Sequence, residues 1–218
     1  MTDIAVVKIG GALLENPEAS VEKIVACRRQ HLAIVHGGGI QITRMLERMN
    51  VKSQFIDGLR VTDVVALAAV SAALLGEVHT ALVSALQHAG VPAVGVFGAV
   101  SADLKDGPWG LVGTRVTADQ TVLEPLIRSG KVPVIPTLAV GEPGLLNVNG
   151  DETAAGVALA LRASELIFLT DVEGVLDANG SVIVRVPPEV SLLDASFVTG
   201  GMKPKLRAVA AAISGGVS

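Results

Sequence analysis

IAVVKIGG, residues 4–11, and LAIVHGGG, residues 32–39, are two apolar, β-branched runs that both end in glycines. A helical pattern follows each run, from Pro17 to Gln30 and from Ile40 to Met49. Continuously apolar strands that alternate with helices are typical of a parallel sheet covered on both faces. The sequence therefore predicts an α/β fold.

The alternation continues along the rest of the chain. In order, the patterns predict a helix over Asp63 to Ala89, a strand over Ala93 to Phe97, a hairpin inserted at the sheet's edge between Gly98 and Thr117, a helix over Val122 to Ser129, a strand over Val132 to Val140, a helix over Glu152 to Leu161, a strand over Glu165 to Leu169, a hairpin around residues 177–180 and a helix from Lys203 to Ser214. No low-complexity linker interrupts them. We therefore predict one domain over residues 1–218, with any lobe boundary near residues 140–147 of a continuous sheet.

Composition excludes several classes of protein. The net charge is −4, the basic residues are scattered, aromatic residues make up 2 % and Tyr is absent, so neither a basic stripe nor a stacking platform for nucleic acid exists. Cys27 is the only cysteine, so no intrachain disulfide can form, and the N-terminus enters a strand directly, which predicts a cytoplasmic protein. The longest apolar stretch, Val64 to Leu75, is too short to cross a bilayer and predicts a buried helix, so no membrane partner is expected.

The two glycine loops predict an anion site. In a parallel sheet both strand ends reach the same edge, and ligands of open α/β sheets bind outside that edge. Three consecutive glycines at residues 37–39 exceed the need of a turn, which favours close approach of the backbone to a ligand over a permissive turn. The spacing matches neither G-x-G-x-x-G nor a P-loop, which disfavours dinucleotide and P-loop binding.

Lys8, Asp151 and Lys205 are three charges in an otherwise apolar chain, and each lies beside glycines. Lysines can hold the charge that develops during phosphoryl transfer, and glycines let N–H groups approach phosphate oxygens. Asp151 has an alternative role, because it could cap the helix that follows it, as we expect Asp63 to do for its own helix.

Six ordered motifs carry a resemblance to a known family. VVKIGG, VHGGG, DGLRVTD, NVNGDETAAG, LTDVEGVLD and TGGMKPK together span nearly the whole chain. The chain resembles the amino acid kinase family, and within it the members that phosphorylate N-acetyl-L-glutamate. The resemblance implies a three-layer α/β/α sandwich, ATP with Mg²⁺ as phosphoryl donor, a homodimer in arginine biosynthesis, and an acceptor-substrate lobe over residues 1–146 beside a nucleotide lobe over residues 147–218.

The resemblance also implies roles for three charged residues. Lys8 would neutralise the transferring phosphoryl group, Lys205 would do so on the nucleotide side, and Asp151 would lie between the two ammonium groups. A carboxylate acceptor needs no base at neutral pH, so positioning and electrostatics suffice for this reaction.

The remaining site residues follow from the same motifs. Arg60 would clamp the substrate α-carboxylate, Asn147 would fix the acetylamino acid, and the N–H groups of Gly10, Gly37 and Gly38 would meet the phosphoryl oxygens. The residues expected on the nucleotide side are Gly10, Gly11, Thr170, Asp171, Gly174, Leu176, Gly201 and Lys203.

Alternatives stay open for several polar residues. Arg60 could form a surface ion pair instead of binding a ligand. His36 is expected to be a core histidine behind its loop, and His31, His79 and His88 are expected to be solvated.

The chain departs from the family pattern in four places. It ends at SGGVS where the family continues with a further strand and helix, the loop between Gly98 and Thr117 is short, and Gly150 stands where alanine is commoner, although none of these is expected to touch the lysines. No helix precedes the first strand, which predicts a dimer insensitive to arginine.

Two functional alternatives therefore stay beside acetylglutamate phosphorylation. One is a kinase of the aminoadipate or glutamate carrier protein in lysine biosynthesis, and the other is a catalytically weak ligand-binding or regulatory member. Relatives acting on glutamate, aspartate, carbamate or UMP match the NVNGD motif less well.

Overall fold

A computed structural model of the protein describes residues 3–27, 29, 31–172, 174–186, 198 and 202–217. The strands are β1 (Ile4–Ile9), β2 (His31–His36), β3 (Phe55–Ile56), β4 (Leu59–Arg60), β5 (Ala93–Gly95), β6 (Val100–Leu104), β7 (Gly113–Ala118), β8 (Val132–Pro136), β9 (Leu138–Gly141), β10 (Gly144–Asn147) and β11 (Glu165–Leu169). The helices are α1 (Pro17–Ala26), α2 (Gly39–Arg48), α3 (Val64–Ser71), α4 (Thr80–His88), α5 (Gln120–Arg128), α6 (Gly150–Ala160) and α7 (Met202–Ser214). A short 3₁₀ helix covers Gly11–Glu15, and a π-helical segment, Ala72–His79, joins α3 to α4.

The central sheet has five strands in the order β11-β1-β2-β8-β5, and all of its strand pairs are parallel. Successive side chains of a strand point to opposite faces. Val7 and Ile34 accordingly pack with Leu82 and Leu86 of α4 on one face, whereas Val35 packs with residues of α5 and α6 on the other. The predicted α/β fold with helices on both faces is confirmed.

The sheet is not continuous, which corrects the prediction of one strand over Val132 to Val140. The chain bends at the buried Thr137, so β8 stays in the central sheet while β9 joins a second sheet of order β10-β9-β6-β7. Pro136 ends β8, and proline has no N–H group with which to extend a ladder. The predicted hairpin between Gly98 and Thr117 exists as antiparallel β6 and β7, but it belongs to this second sheet.

The α3, π-helical and α4 segments form one continuous helix, Val64–His88. Among the residues that the structure describes, this helix alone is long and apolar enough to cross a membrane, by length and composition only. The predicted helix over Asp63 to Ala89 is confirmed, and the apolar stretch Val64 to Leu75, which is too short to cross a bilayer, is only its first part. Leu74, Leu82 and Leu86 are fully buried in the protein core, so one face of the helix already has a partner within the fold.

Candidate active site

The two glycine loops meet at the carboxyl ends of β1 and β2. A Cβ atom placed on Gly11 would lie 2.9 Å from the backbone nitrogen of Gly39, so the loops touch through their backbones. The parallel pairing of Ile9 with His36 brings both strands to this edge together. The predicted single crevice is therefore present.

The backbone N–H groups at this edge divide into two sets. Gly10 donates to the Leu169 carbonyl at 3.2 Å and Gly37 donates to the Ile9 carbonyl at 3.3 Å. These two donors extend the sheet, which corrects the expectation that they face phosphoryl oxygens. Within the described part of the chain, the N–H groups of Gly38 and Gly39 have no protein acceptor. They lie at the N-terminus of α2, where unpaired donors favour an anion.

Asp151 lies between the two lysines. Its Oδ1 atom is 2.8 Å from Nζ of Lys8 and 3.2 Å from Nζ of Lys205. All three side chains are largely buried, and Nζ of Lys205 lies 4.8 Å from the centre of the Phe168 ring. Burial, followed by the nearby Lys8 charge, lowers the pKa of Lys205, while Asp151 opposes both effects. The cluster carries one net positive charge beside the glycine loops.

Asn149, which the sequence analysis did not single out, caps the helix that carries Asp151. Its side-chain oxygen accepts from the N–H groups of Asp151 and Glu152 at 2.9 and 3.0 Å. The helix therefore begins at Gly150, and Asp151 is free of the capping role that remained its alternative. The spacing of Asn149 and Glu152 is that of a capping box, a signal that was present in the sequence. Asp63 does cap α3, accepting from Ala66 N–H at 2.7 Å, as predicted.

A cleft of about 210 Å³ lies in front of these loops. Lys8, Arg60, Asn147 and Asn149 supply its side-chain polarity, and Gly11 and residues 37–39 supply backbone. A larger cavity of about 430 Å³ adjoins it, sharing Leu59 and Asn149, but none of the three clustered charges lines it. Of the three clustered charges, Lys8 lines the smaller cleft, which makes that cleft the candidate site for an anionic ligand.

Arg60 is buried rather than on the surface, which rules out the alternative of a surface ion pair. Its guanidinium donates to the Ser53 hydroxyl, to the Gly39 carbonyl at 3.2 Å and to the Thr43 hydroxyl at 2.8 Å, and it lies 4.6 Å from the centre of the Phe55 ring. Burial lowers the pKa of Arg60, although a guanidinium remains charged at neutral pH. Two of these hydrogen bonds thus tie the β3–β4 hairpin to α2, and the third holds the segment that precedes β3.

Asn147 ends β10 and donates through Nδ2 to the Thr62 hydroxyl at 3.0 Å. This bond fixes the amide so that its oxygen is left for another donor. Thr62 is itself fully buried and donates to the Arg60 carbonyl at 2.9 Å, which links the predicted amide and guanidinium sites.

Of the residues predicted for the nucleotide side, Gly10 and Gly11 follow β1, and the other described ones lie after β11 or at the start of α7. Thr170 and Asp171 follow β11, Gly174 comes next along the chain, and Leu176 pairs with Val182 across the predicted hairpin. Lys203 is exposed on the first turn of α7. Gly201 lies outside the described residues.

Gly150 lies against Lys8, which corrects the expectation that this departure stays clear of the lysines. A Cβ atom on Gly150 would lie 3.2 Å from Cε of Lys8, closer than ordinary side-chain contact. The glycine therefore leaves room for the lysine beside Asp151.

The histidines divide differently from the prediction. His36 is fully buried behind its loop, as expected, and His88 is exposed at the end of α4. His79 was expected to be solvated, but it is half-buried and its Nδ1 lies 2.9 Å from Nε2 of His36. His31 is likewise half-buried at the start of β2. Helical periodicity could not reveal a contact between residues 43 positions apart.

Among the described residues, no group of three or more His, Cys, Asp or Glu side chains is arranged to hold a metal ion. Asp151 already faces two ammonium groups. Mg²⁺ is commonly held by substrate phosphates, waters and one or two carboxylates, so this donor set fits an ion that arrives with a nucleotide.

A sequence profile of the amino acid kinase family matches residues 3–218. The chain belongs to the amino acid kinase family. It is 38 % identical to an acetylglutamate kinase of Endomicrobium trichonymphae, over 100 % of this chain and 91 % of that protein, and 42 % identical to one of Rubrobacter xylanophilus, over 97 % and 85 %.

Solved structures share the fold of this chain. The crystal structure of smu.665 from Streptococcus mutans matches with a TM-score of 0.88 at 33 % identity, covering 100 % of this chain and 93 % of that one. Carbamate kinase from Giardia lamblia shares the fold, with a TM-score of 0.72 at 13 % identity over 98 % of this chain and 89 % of its own.

Proposed function

We propose that this chain transfers the γ-phosphoryl group of ATP to the side-chain carboxylate of N-acetyl-L-glutamate, as a homodimer in cytoplasmic arginine biosynthesis. The observation that carries the proposal is the contact of one Asp151 oxygen with both Lys8 and Lys205 beside a cleft of about 210 Å³. The acetylglutamate kinases at 38 % and 42 % identity support the choice of acceptor.

The reaction needs charge compensation more than proton transfer. An acceptor carboxylate oxygen forms a bond to the γ-phosphorus as the bond to the bridging oxygen of ADP breaks, and the acyl phosphate and ADP leave. Lys8 lines the acceptor cleft and would meet the transferring group, whereas Lys205 stands beside Phe168 of β11 and would meet the leaving phosphate. Asp151 would hold both ammonium groups in position during the transfer.

The N–H groups of Gly38 and Gly39 would donate to the phosphoryl oxygens at the start of α2. Mg²⁺ bound with the nucleotide would neutralise part of the phosphate charge. In this proposal residues 1–146 hold the acceptor, and residues 147–218, including Thr170, Asp171 and Lys203, hold the nucleotide.

Steady-state ADP release with a panel of acceptors tests the reaction. N-acetyl-L-glutamate should give turnover well above glutamate, aspartate, carbamate and UMP. Turnover only with a carrier-protein glutamate or aminoadipate would assign the chain to lysine biosynthesis. Binding of acetylglutamate and ATP without ADP release would make it a ligand-binding member.

Arg60→Lys tests the acceptor clamp. Lysine keeps the positive charge but lacks the paired N–H donors with which a guanidinium binds a carboxylate. KM for the amino acid should therefore rise, while KM for ATP stays near that of the wild type. Ser53→Ala is the matched control, because it removes one protein partner of the guanidinium and leaves the guanidinium itself. If Arg60→Lys changes KM for ATP instead, the role of Arg60 is to bind the nucleotide or to stabilise the fold.

A further inference from the structure

His36 and His79 form a hydrogen-bonded pair directly behind the glycine loop. Nδ1 of His36 lies 3.0 Å from the Gly37 carbonyl oxygen, and its Nε2 lies 2.9 Å from Nδ1 of His79. The two ring centroids are 5.1 Å apart. The pair belongs to no step of the proposed reaction.

The contacts fix where each ring carries its hydrogen. A carbonyl oxygen only accepts, so Nδ1 of His36 carries hydrogen and donates to Gly37. Burial lowers the pKa of His36 to about 4, so the ring is neutral at pH 7 and its Nε2 has a free lone pair. Nδ1 of His79 therefore carries hydrogen and donates to His36.

The bond to Gly37 also orients the next peptide N–H group. Among the described residues, the only cis peptide bond is that between Glu142 and Pro143, so the peptide joining Gly37 to Gly38 is trans. In a trans peptide the C=O and N–H bonds point in opposite directions. Because the buried His36 holds the Gly37 carbonyl, the Gly38 N–H bond points away from His36, and both glycines line the cleft.

We propose that His79 is a positioning residue for phosphoryl transfer: by donating to Nε2 of His36 it keeps the hydrogen of His36 on Nδ1, and His36 then holds the peptide between Gly37 and Gly38 with its N–H group toward the phosphoryl oxygens. The inference rests on the proposed kinase function and adds two residues to its machinery. Without the His79 donor, His36 could move its hydrogen to Nε2, and its bare Nδ1 would then repel the Gly37 carbonyl.

The surroundings of His79 are shaped around the ring. Gly95 packs against Nε2 of His79 so closely that a Cβ atom there would overlap the ring. His79 ends the π-helical segment Ala72–His79, and such wide turns occur frequently at functional sites. Leu74 of the same segment lies behind Gly38, where a Cβ atom would be only 2.9 Å from its methyl group. The loop and this helix therefore fit together at two points.

The test compares His79→Asn with His79→Leu. Asparagine can donate from nearly the position of Nδ1, whereas leucine keeps bulk and removes the donor. The leucine variant should lose roughly 10-fold in kcat, a part of the 100- to 1,000-fold that follows removal of a whole oxyanion donor, with little change in KM for acetylglutamate. The asparagine variant should recover most of that loss.

Adding the His79 substitution to a His36 variant shows whether His79 acts through His36. His36→Asn keeps a donor for the Gly37 carbonyl but has no tautomer to set, so adding His79→Leu to it should lower kcat much less than in the wild type. Nitrogen-15 NMR of the labelled imidazoles should place the His36 hydrogen on Nδ1 in the wild type and shift it toward Nε2 in His79→Leu.

The outcomes separate this inference from the proposed function. Equal kcat in the asparagine and leucine variants, a loss confined to thermal stability, or an Nε2 hydrogen on wild-type His36 would overturn the positioning role alone. Absence of ADP release from the wild type with every acceptor would overturn the proposed function, and the positioning role with it.

Discussion

At the scale of single residues, Lys8, Asp151 and Lys205 should behave as one unit. Replacing either lysine with methionine should lower kcat by roughly 100- to 1,000-fold, because each is expected to act on charge that develops in the transition state. Asp151→Asn should also reduce kcat, since it leaves two ammonium groups without their common anion. The losses should not add in double variants.

The matched control is Lys131→Met, which removes an exposed lysine elsewhere. Thermal midpoints should be measured with each kcat. Asn149 already caps α6, so the new asparagine in Asp151→Asn is not needed as a cap. A fully active and stable Asp151→Asn variant would therefore contradict the role of Asp151 in organising the two lysines.

His36 makes the free energy of unfolding depend on pH. Its pKa is about 4 in the folded protein and 6.5 in its ordinary state, so the unfolded chain binds more protons between these values. The contribution of neutral His36 to the free energy of unfolding is fully present above pH 6.5. The free energy of unfolding should fall by about 1 kcal/mol per pH unit as the pH drops toward 4. Urea unfolding across this range should give a shallower pH dependence for His36→Asn, and identical slopes would contradict the prediction.

At the scale of elements, Asn149 should stabilise α6 and hold Asp151 in place. Asn149→Ala should lower the free energy of unfolding by about 1 kcal/mol, the usual cost of losing a cap. It should also lower kcat, since the first turn carries Asp151. Asn149→Ser keeps a capping oxygen but loses the amide that lines the cleft. Recovery of stability without recovery of kcat in the serine variant would assign Asn149 directly to substrate.

The helices and strands were largely predictable. Apolar runs that end in glycine predict β1 and β2 from local sequence alone, without knowledge of the segments that pack against them. The break between β8 and β9 was not, since residues 132–140 are uniformly apolar and only the split into two sheets bends the chain at Thr137. Local patterns likewise placed Lys8 and Asp151 at element ends. They could not reveal that the Gly37 N–H pairs with Ile9 or that His79 reaches His36, because these contacts depend on packing between distant segments.

At the scale of the whole molecule, the charged cluster joins segments from both ends of the chain. Lys8 comes from the first strand, Asp151 from the start of α6 and Lys205 from α7. Any movement of the proposed nucleotide lobe against the acceptor lobe would therefore change the contact of Asp151 with Lys8, whereas its contact with Lys205 lies within the proposed nucleotide lobe. The distance between Lys8 and Asp151 would then depend on the relative position of the two lobes.

The other whole-molecule feature is the exposed face of the Val64–His88 helix. Val64, Val65, Ala68, Ala72 and Gly76 are exposed at the spacing of one helical side. Apolar and small side chains of this kind allow close approach of a second helix. This face supports the proposed homodimer, with the same surface used by both copies.

The dimer prediction uses two valines in matched settings. Val65 is 49 % exposed in the first turn of α3, and Val122 is 42 % exposed in the first turn of α5. Val65→Glu would place like charges opposite each other across a two-fold interface, so light scattering after gel filtration should change from a dimer to a monomer mass. Val122→Glu should leave the dimer intact. A monomeric wild type, or a dimer unaffected by Val65→Glu, would remove this helix from the interface, and binding of the wild type to lipid vesicles that is lost in Val65→Glu would assign the face to a membrane instead.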